Sequence, residues 1–143
     1  MLLASARHVG HYALVHPPAE LAAAYWEHHR RATSTVRADR LSQDDVLWAW
    51  EEIHERVLDH PEAVVDLLVI IADAAPDDAA LAYLGAGPVE ELLHPSVSSA
   101  VVDRVEHAAV HSETFRKALR CAWFDGRVSP AIADRLRRFG DPY

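Results

Sequence analysis

Hydrophobic residues recur three and four positions apart along most of the chain, and proline, glycine and serine residues divide this pattern into short segments. Spacing of this kind places apolar side chains on one face of an α-helix. Alternating apolar and polar positions, which indicate strands, are limited to the short stretch HYALVH at residues 11–16. We therefore predict an all-α fold with about seven or eight short helices.

Several residues indicate where individual helices begin and end. Ser42 is expected to cap the helix that contains DDVLWAWEEIHERVLDH, because its side chain can accept a hydrogen bond from a free backbone N–H. Pro61 and Pro76 are each expected at a first helical position. Gly85 is expected to end a helix in a left-handed cap, and Pro88 to begin the next one. The segment SETFRKALRCAWF is expected to form a single later helix.

A weak internal repeat relates two pairs of predicted helices. Val65-Asp66 and Ala80-Leu81 recur as Val102-Asp103 and Ala118-Leu119, after 37 and 38 residues respectively. A period of this length is typical of stacked helix pairs of the HEAT class. We expect either an irregular HEAT-like helix-pair stack or a compact orthogonal bundle.

The stretch ALAYLGAGPVEELL, residues 80–93, raises the question of a phosphate-binding loop. A dinucleotide fingerprint needs a preceding strand and a third glycine, whereas here the preceding segment is helical and the corresponding position is Glu90. Adjacent carboxylates at the start of a helix would also repel a phosphate. We interpret the two glycines as part of a joint between helices.

Three blocks of the chain occur in a characteristic order: AWEEIHERVLDHPEAV, LAYLGAGPVEELL and VDRVEHAAVHSETFRKALRCAW. Together they resemble a bacterial domain family of unknown function, and the similarity covers about residues 46–139. That family is marked by an L-G-A-G-P-[LV]-E-[DE]-L-L core, an upstream aromatic-rich helix and a downstream tryptophan. The resemblance implies a helical fold and no established activity, so it transfers no catalytic residue to this chain.

The length of 143 residues suits one compact domain with a hydrophobic core. We expect residues 17–143 to form this domain and residues 1–16 to form an N-terminal arm. The single cysteine, Cys121, excludes an internal disulfide and favours a reducing, cytoplasmic location. The first residues lack the positive region of a signal peptide, and the longest apolar run, Val64–Ala72, is too short to span a bilayer.

The formal net charge of −8 is unevenly distributed along the chain. Residues 42–91 contain thirteen acidic residues and one basic residue, Arg56, whereas residues 104–138 contain eight basic and four acidic residues. An acidic centre argues against nucleic-acid binding and suits a basic protein partner. We expect such a partner, no nucleic acid and no membrane, with head-to-tail self-association as an alternative.

The helix after Ser42 suggests where a partner binds. At about 100° per residue, Trp50, Ile53 and Val57 share a core-facing side that Leu58 flanks. Trp48 falls on the opposite side, so it is either exposed and anchors a partner or packed under the first helix, and the sequence leaves both interpretations open. The expected partner-binding residues are Trp48, Glu52, Glu55, Asp59, Glu62 and Asp66.

The pattern favours a protein–protein interaction module, such as an adaptor, an inhibitor or an immunity-type protein that neutralises a basic nuclease. The alternative is a metal- or small-molecule-binding protein. His107 and His111 are four residues apart, so their imidazoles can face one ion. Asp103 is too distant along the helix to join both of them, and the sequence identifies no third ligand.

Motifs of known enzymes are missing from the sequence. It contains no G-x-S-x-G elbow, P-loop or CxxC pair, and adjacent carboxylates such as Glu51-Glu52 point apart on a helix. Cys121 lies in an apolar segment and is expected to be a buried small hydrophobe rather than a nucleophile. We therefore expect no enzymatic activity and no cofactor.

Overall fold

The computed structural model describes residues 16–140, and this part of the chain consists of helices joined by short connections. The predicted all-α fold is confirmed, since no strand occurs between these two residues. The arm proposed for residues 1–16 lies outside the described residues except for His16, and so does most of the HYALVH stretch.

The helices follow one another with few residues between them. In chain order they are α1 (Pro18–Ala32), α2 (Arg37–Leu41), α3 (Leu47–Asp59), α4 (Pro61–Asp73), α5 (Asp78–Leu84), α6 (Glu90–Leu92), α7 (Ser99–His111), α8 (Glu113–Arg120) and α9 (Pro130–Arg137). A 3-10 turn, Gln43–Val46, precedes α3, and a π-helical turn, Gly85–Val89, joins α5 to α6. We call this second segment the GAGP turn.

Helix α4 lies at the centre of the fold and contacts α1, α3, α7 and α8. A helix that is apolar almost all round has to be covered on several sides, and Val64, Leu68 and Ile71 of α4 are almost completely buried. Trp26 of α1 donates a hydrogen bond from Nε1 to the carbonyl oxygen of Ile71 at 2.8 Å, which ties α1 to α4. The central position of α4 follows from its own apolar sequence.

The internal repeat corresponds to helix packing, because α4 packs against α7 and α5 packs against α8. Helix α8 also contacts α4, so the two pairs share one core instead of forming separate layers. The described part of the chain thus combines stacked equivalent helices with the compact packing of a bundle. No helix within residues 16–140 has both the length and the hydrophobicity needed to cross a bilayer.

Two of the predicted helix starts are wrong. The Ser42 hydroxyl donates to the carbonyl oxygen of Asp39 at 2.9 Å instead of capping α3, which begins only after the 3-10 turn. Helix α5 begins at Asp78 because Asp77 is its cap and accepts a hydrogen bond from a backbone N–H, so Pro76 stays outside. Pro61 occupies the first position of α4 as predicted.

The prediction for the glycine segment is also wrong in its mechanism. Gly85 has helical backbone angles, φ −63° and ψ −46°, so it forms no left-handed cap and the chain continues as the GAGP turn. A proline ring normally clashes with the carbonyl four residues earlier, and the wider π turn around Pro88 relieves that clash. A Cβ atom on Gly85 would lie 2.0 Å from the carbonyl oxygen of Ala118. Glycine is therefore required here for the close approach of α8.

A buried histidine makes the stability of the fold depend on pH. His28 of α1 has 7% of its surface exposed, and this burial lowers its pKa. The neighbouring His29 lowers the pKa of His28 further, whereas Asp44 opposes the shift. The pKa of His29 is lowered as well, chiefly by burial. Folding therefore favours the uncharged form of both imidazoles.

We expect the free energy of unfolding to fall when the pH is lowered from about 7.5 to about 5.5. The pKa of a histidine in the unfolded chain is about 6.5, and the pKa values of these two histidines in the folded chain are lower. As the pH falls below 6.5 the unfolded chain therefore binds more protons at these histidines than the folded chain does, and the folded state loses stability. Urea unfolding at the two pH values measures the loss. His28→Gln should reduce it, whereas the exposed His107→Gln should not; an undiminished loss in His28→Gln would contradict the assignment.

Candidate functional site

Trp48, the expected anchor of a partner, is half-buried, so of its two interpretations the exposed one is wrong. Its side chain packs against the hydrophobic core, and the ring of His16 covers it with the two ring centroids 4.1 Å apart. The helical angle alone places Trp48 opposite the core, but the chain that precedes α1 supplies a neighbour on that side. Trp48 is consequently not available as a large exposed contact.

Glu52, the second predicted binding residue, belongs to an ion pair below the surface. Its Oε2 lies 3.6 Å from Nε of Arg56, and the two side chains are only 15% and 9% exposed. His16 approaches the other oxygen of Glu52, with Nδ1 3.5 Å from Oε1. The one basic residue of the acidic segment is therefore used inside the fold, where it balances a carboxylate.

The exposed face of α3 lies next to the face that was predicted to be exposed, which contains Trp48 and Glu52. Leu58 was expected to flank the core but is 65% exposed. Glu51 precedes Glu55 by four positions and Leu58 by seven, so these three residues share one face of α3. Asp59 at the end of α3 is exposed, and Glu55 is half-buried. The side chains on this face are acidic around one exposed leucine.

Helix α4 extends the same negative charge across the junction with α3. Glu62 and Asp66 are both exposed, and both approach Arg104 of α7, with closest N–O distances of 3.8 and 3.3 Å. One arginine is thus shared between two carboxylates. We call the following set the acidic surface: Glu51, Glu55, Leu58 and Asp59 on α3, with Glu62 and Asp66 on α4.

The basic C-terminal segment is paired within the molecule. Arg135 of α9 contacts Asp103 at 2.6 Å and also contacts Glu106, both on α7. Arg138 lies 3.5 Å from the second oxygen of Glu106. Arg137 contacts nearby carboxylates in the same way. Much of the positive charge that is concentrated late in the sequence is therefore offset by the protein's own carboxylates.

His107 and His111 lie exposed beside a groove of about 650 Å³ between α4 and α7. Their ring centroids are 4.2 Å apart with planes tilted by 33°, and Nδ1 of His111 lies 2.8 Å from the carbonyl oxygen of His107. Asp103, the residue one turn earlier, pairs with Arg135. Within residues 16–140 no three His, Cys, Asp or Glu side chains are grouped to hold a metal ion.

Trp123 is an exposed aromatic residue that the sequence interpretation missed. The predicted helix SETFRKALRCAWF ends at Arg120, so Trp123 lies in the following connection and 70% of its surface is exposed. Its backbone N–H donates to a carboxylate oxygen of Glu90 at 2.7 Å. Cys121 beside it is half-buried, and burial is the main reason that its pKa is raised, so the thiol resists ionisation.

A pocket of about 250 Å³ lies where the GAGP turn meets α1 and α3. Trp50, predicted to be core, is half-buried and forms one wall with His54, whose ring stacks on it at 5.0 Å and 8°. Tyr83 and Tyr25 form aromatic walls, and Gly87 and Glu91 contribute the wall nearest the turn. Sequence reasoning missed this pocket because its members come from five separate elements: α1, α3, α5, the GAGP turn and α6.

The polar groups of the pocket are incompletely paired. Nδ1 of His54 lies 2.7 Å from Oε2 of Glu91, but this oxygen makes no hydrogen bond of acceptable geometry within the described residues. The hydroxyl of Tyr25 is also buried and has no hydrogen-bond partner among them. Burial raises the pKa of Tyr25 well above its usual range, and Tyr83 and Glu91 add to the shift. The phenol thus keeps its proton and can both donate and accept.

Comparison with known proteins identifies a family but no characterised relative. No curated protein and no solved structure is detectably similar to this chain. A sequence model of a family of unknown function, DUF6869, matches residues 36–141. The matched region covers more than half of the chain and contains every helix from α2 to α9. As the resemblance implied, the chain belongs to a family of unknown function, and that family is DUF6869.

Proposed function

We propose that this protein is a protein–protein interaction module that binds a basic partner through the acidic surface. The observation that carries the proposal is the set of exposed carboxylates, Glu51 and Asp59 on α3 with Glu62 and Asp66 on α4, in a segment that also exposes Leu58. In this proposal the protein has no catalytic activity of its own and acts in the cytoplasm as an adaptor, an inhibitor or an immunity-type protein.

Complementary charge accelerates association and orients the partner, because the field of several carboxylates extends beyond contact distance. The apolar contact comes from Leu58, which takes the role first expected of Trp48. Glu52 no longer belongs to the binding set, since its carboxylate faces Arg56. Glu55, Asp59, Glu62 and Asp66 remain in it.

The metal- or small-molecule-binding alternative has one supporting observation, the groove beside His107 and His111. A carboxylate from α4, Asp73, lines the same groove, and its Oδ1 accepts a hydrogen bond from the Thr114 hydroxyl. The two imidazoles can therefore offer ring nitrogens to a ligand in this groove, but the carboxylate of Asp73 is already engaged by Thr114. We retain the acidic surface as the better-supported site.

We expect the variant Leu58→Ala with Asp59→Asn to reduce partner capture by about fivefold or more, which corresponds to about 1 kcal/mol, a loss that only a minority of interface residues cause when truncated. The full chain, immobilised, is exposed to lysate of its source organism at low and at high salt. The captured protein should be basic, and its yield should decrease at high salt because exposed charges are screened.

A matched control uses an exposed apolar residue and an exposed acid on α7, Val110→Ala with Asp103→Asn. This control removes the same charge and a similar apolar side chain at a different place, so capture should stay within about twofold of wild type. Equal losses in the two variants, or capture that ignores salt, would count against the acidic surface as the binding site.

A further inference from the structure

The pocket beside the GAGP turn has the composition of a site for an organic cation. Its walls are the rings of Trp50, Tyr83 and Tyr25, and its acid is Glu91. Aromatic faces attract positive charge through their quadrupole, and tryptophan does so most strongly. A carboxylate at the same place adds direct attraction and selects against anions and neutral groups.

A buried hydroxyl lacks a partner in this pocket, which indicates that a ligand completes it. Tyr25 is only 1% exposed and its hydroxyl makes no hydrogen bond within the described residues. Oε2 of Glu91 makes no hydrogen bond of acceptable geometry either, although Nδ1 of His54 lies 2.7 Å from it. Buried polar groups in native proteins are nearly always paired, so the unpaired phenol requires an explanation. A ligand with several N–H donors would satisfy the phenol and add hydrogen bonds to the carboxylate.

The size and shape of the pocket restrict the ligand further. About 250 Å³ is smaller than the roughly 300–1,000 Å³ of sites for drug-sized ligands, and it suits a single head group. A planar group can lie against the aromatic walls while its edge points at oxygen atoms. Gly87 belongs to the wall, and a Cβ atom there would meet no other atom within 4 Å, so a side chain can be added at this position without a clash at Cβ.

We propose that this pocket binds a guanidinium group, which stacks between the aromatic walls and donates hydrogen bonds to Glu91 and to the hydroxyl of Tyr25. Guanidinium is planar, permanently charged and carries five N–H donors, whereas a quaternary ammonium has none. The group can come from a free guanidino compound or from an arginine side chain of a protein.

The pocket lies next to the acidic surface, because His54 of the pocket and Leu58 of the acidic surface are four residues apart, on neighbouring turns of α3. A basic protein docked on Leu58 could therefore place an arginine in the pocket. Only this second source rests on the proposed function; binding of a free guanidino compound does not depend on it.

The test is a titration of the full chain with Nα-acetyl-arginine N-methylamide, followed by NMR of the Trp50 indole N–H and the Gly87 amide. The matched probe is the citrulline derivative, which has nearly the same shape but no charge. We expect the arginine derivative to bind at least about tenfold more tightly and to shift these two signals first. Equal affinity for both probes, or shifts that begin elsewhere, would overturn the proposal.

Variants separate the pocket from general electrostatic attraction. Glu91→Gln should weaken binding about tenfold or more, and Gly87→Leu should abolish it by filling the pocket, with the NMR spectrum showing that both remain folded. Glu51→Gln removes the same charge from the acidic surface and should change affinity less than twofold. A loss in Glu51→Gln as large as that in Glu91→Gln would refute a defined site.

Two further comparisons identify the source of the guanidinium group. If a partner arginine occupies the pocket, Glu91→Gln reduces partner capture. Low salt does not restore capture by this variant, and neither does the citrulline derivative, which carries no charge. If a free compound is the ligand, Glu91→Gln weakens only the small-molecule titration. The Leu58→Ala, Asp59→Asn variant should bind the arginine derivative as tightly as wild type. If the acidic surface binds no partner, the titration therefore still tests the pocket, and if the pocket binds no guanidinium, partner capture still tests the acidic surface.

Discussion

Gly85→Ala is expected to destabilise the fold by about 3 kcal/mol or more, at the upper end of what overpacking costs. The added Cβ would lie 2.0 Å from the carbonyl oxygen of Ala118 and 2.9 Å from Cβ of Cys121. The first of these atoms belongs to the backbone of α8, so no side-chain rotation can relieve the overlap. Helix α8 would have to move away from the GAGP turn and from α4, against which it also packs.

Gly87→Ala is the matched control, two residues further along the same turn. A Cβ atom at this position meets nothing within 4 Å, and neither glycine of the turn has a positive φ. Alanine should therefore leave stability unchanged or raise it by up to about 1 kcal/mol, because it restricts the unfolded chain. Urea unfolding of both variants gives the comparison. Similar losses in both would show that backbone flexibility, not the approach of α8, explains the glycines.

Glu52→Gln is expected to destabilise the fold by about 2 kcal/mol. Breaking a fully buried ion pair by removing one partner costs about 3–5 kcal/mol, and the remaining exposure of Glu52 lowers the expected value. The amide keeps the shape of the carboxylate but leaves the charge of Arg56, 9% exposed, without the compensation of Glu52. Chemical unfolding at two salt concentrations should give nearly the same loss, because burial shields the pair from screening.

The neighbouring Glu51→Gln provides the control, since it makes the same chemical change on the exposed face of α3. Its effect on the free energy of unfolding should stay within about 0.5 kcal/mol. A result in which both variants are equally stable would mean that Glu52 is free to contact a partner, as the sequence first indicated. The pair of measurements thus decides whether Glu52 has a structural role.

The helical content and most of the segment order could be predicted from the sequence because they depend on local spacing and on short-range chemistry. Pro61 begins α4 as expected, and the internal repeat anticipated the pairing of α4 with α7 and of α5 with α8. Ser42 and Pro76 did not mark helix starts, because another hydrogen bond formed in each case: the Ser42 hydroxyl donates to the carbonyl oxygen of Asp39, and Asp77 caps α5. Sequence rules for helix starts do not say which of two neighbouring residues becomes the cap.

Exposure was harder to predict than helicity. The helical angle separated Trp48 and Trp50 into a surface and a core residue, yet both are half-buried, one beneath His16 and the other in the wall of a pocket. Leu58 and Trp123 are instead among the exposed apolar residues of the part of the chain that the structure describes. A single helix has a defined polar side, but which sides are covered depends on segments distant in sequence.

The sequence by itself determined the all-α class, the buried character of α4 and the concentration of negative charge between residues 42 and 91. These properties are set by composition and by periodicity within one helix. Only the tertiary structure decided which carboxylates remain at the surface, because the burial of Glu52 and the approach of Arg104 to Glu62 and Asp66 depend on how separate helices pack. It also assembled the pocket from α1, α3, α5, the GAGP turn and α6, since a cavity exists only where separate elements meet.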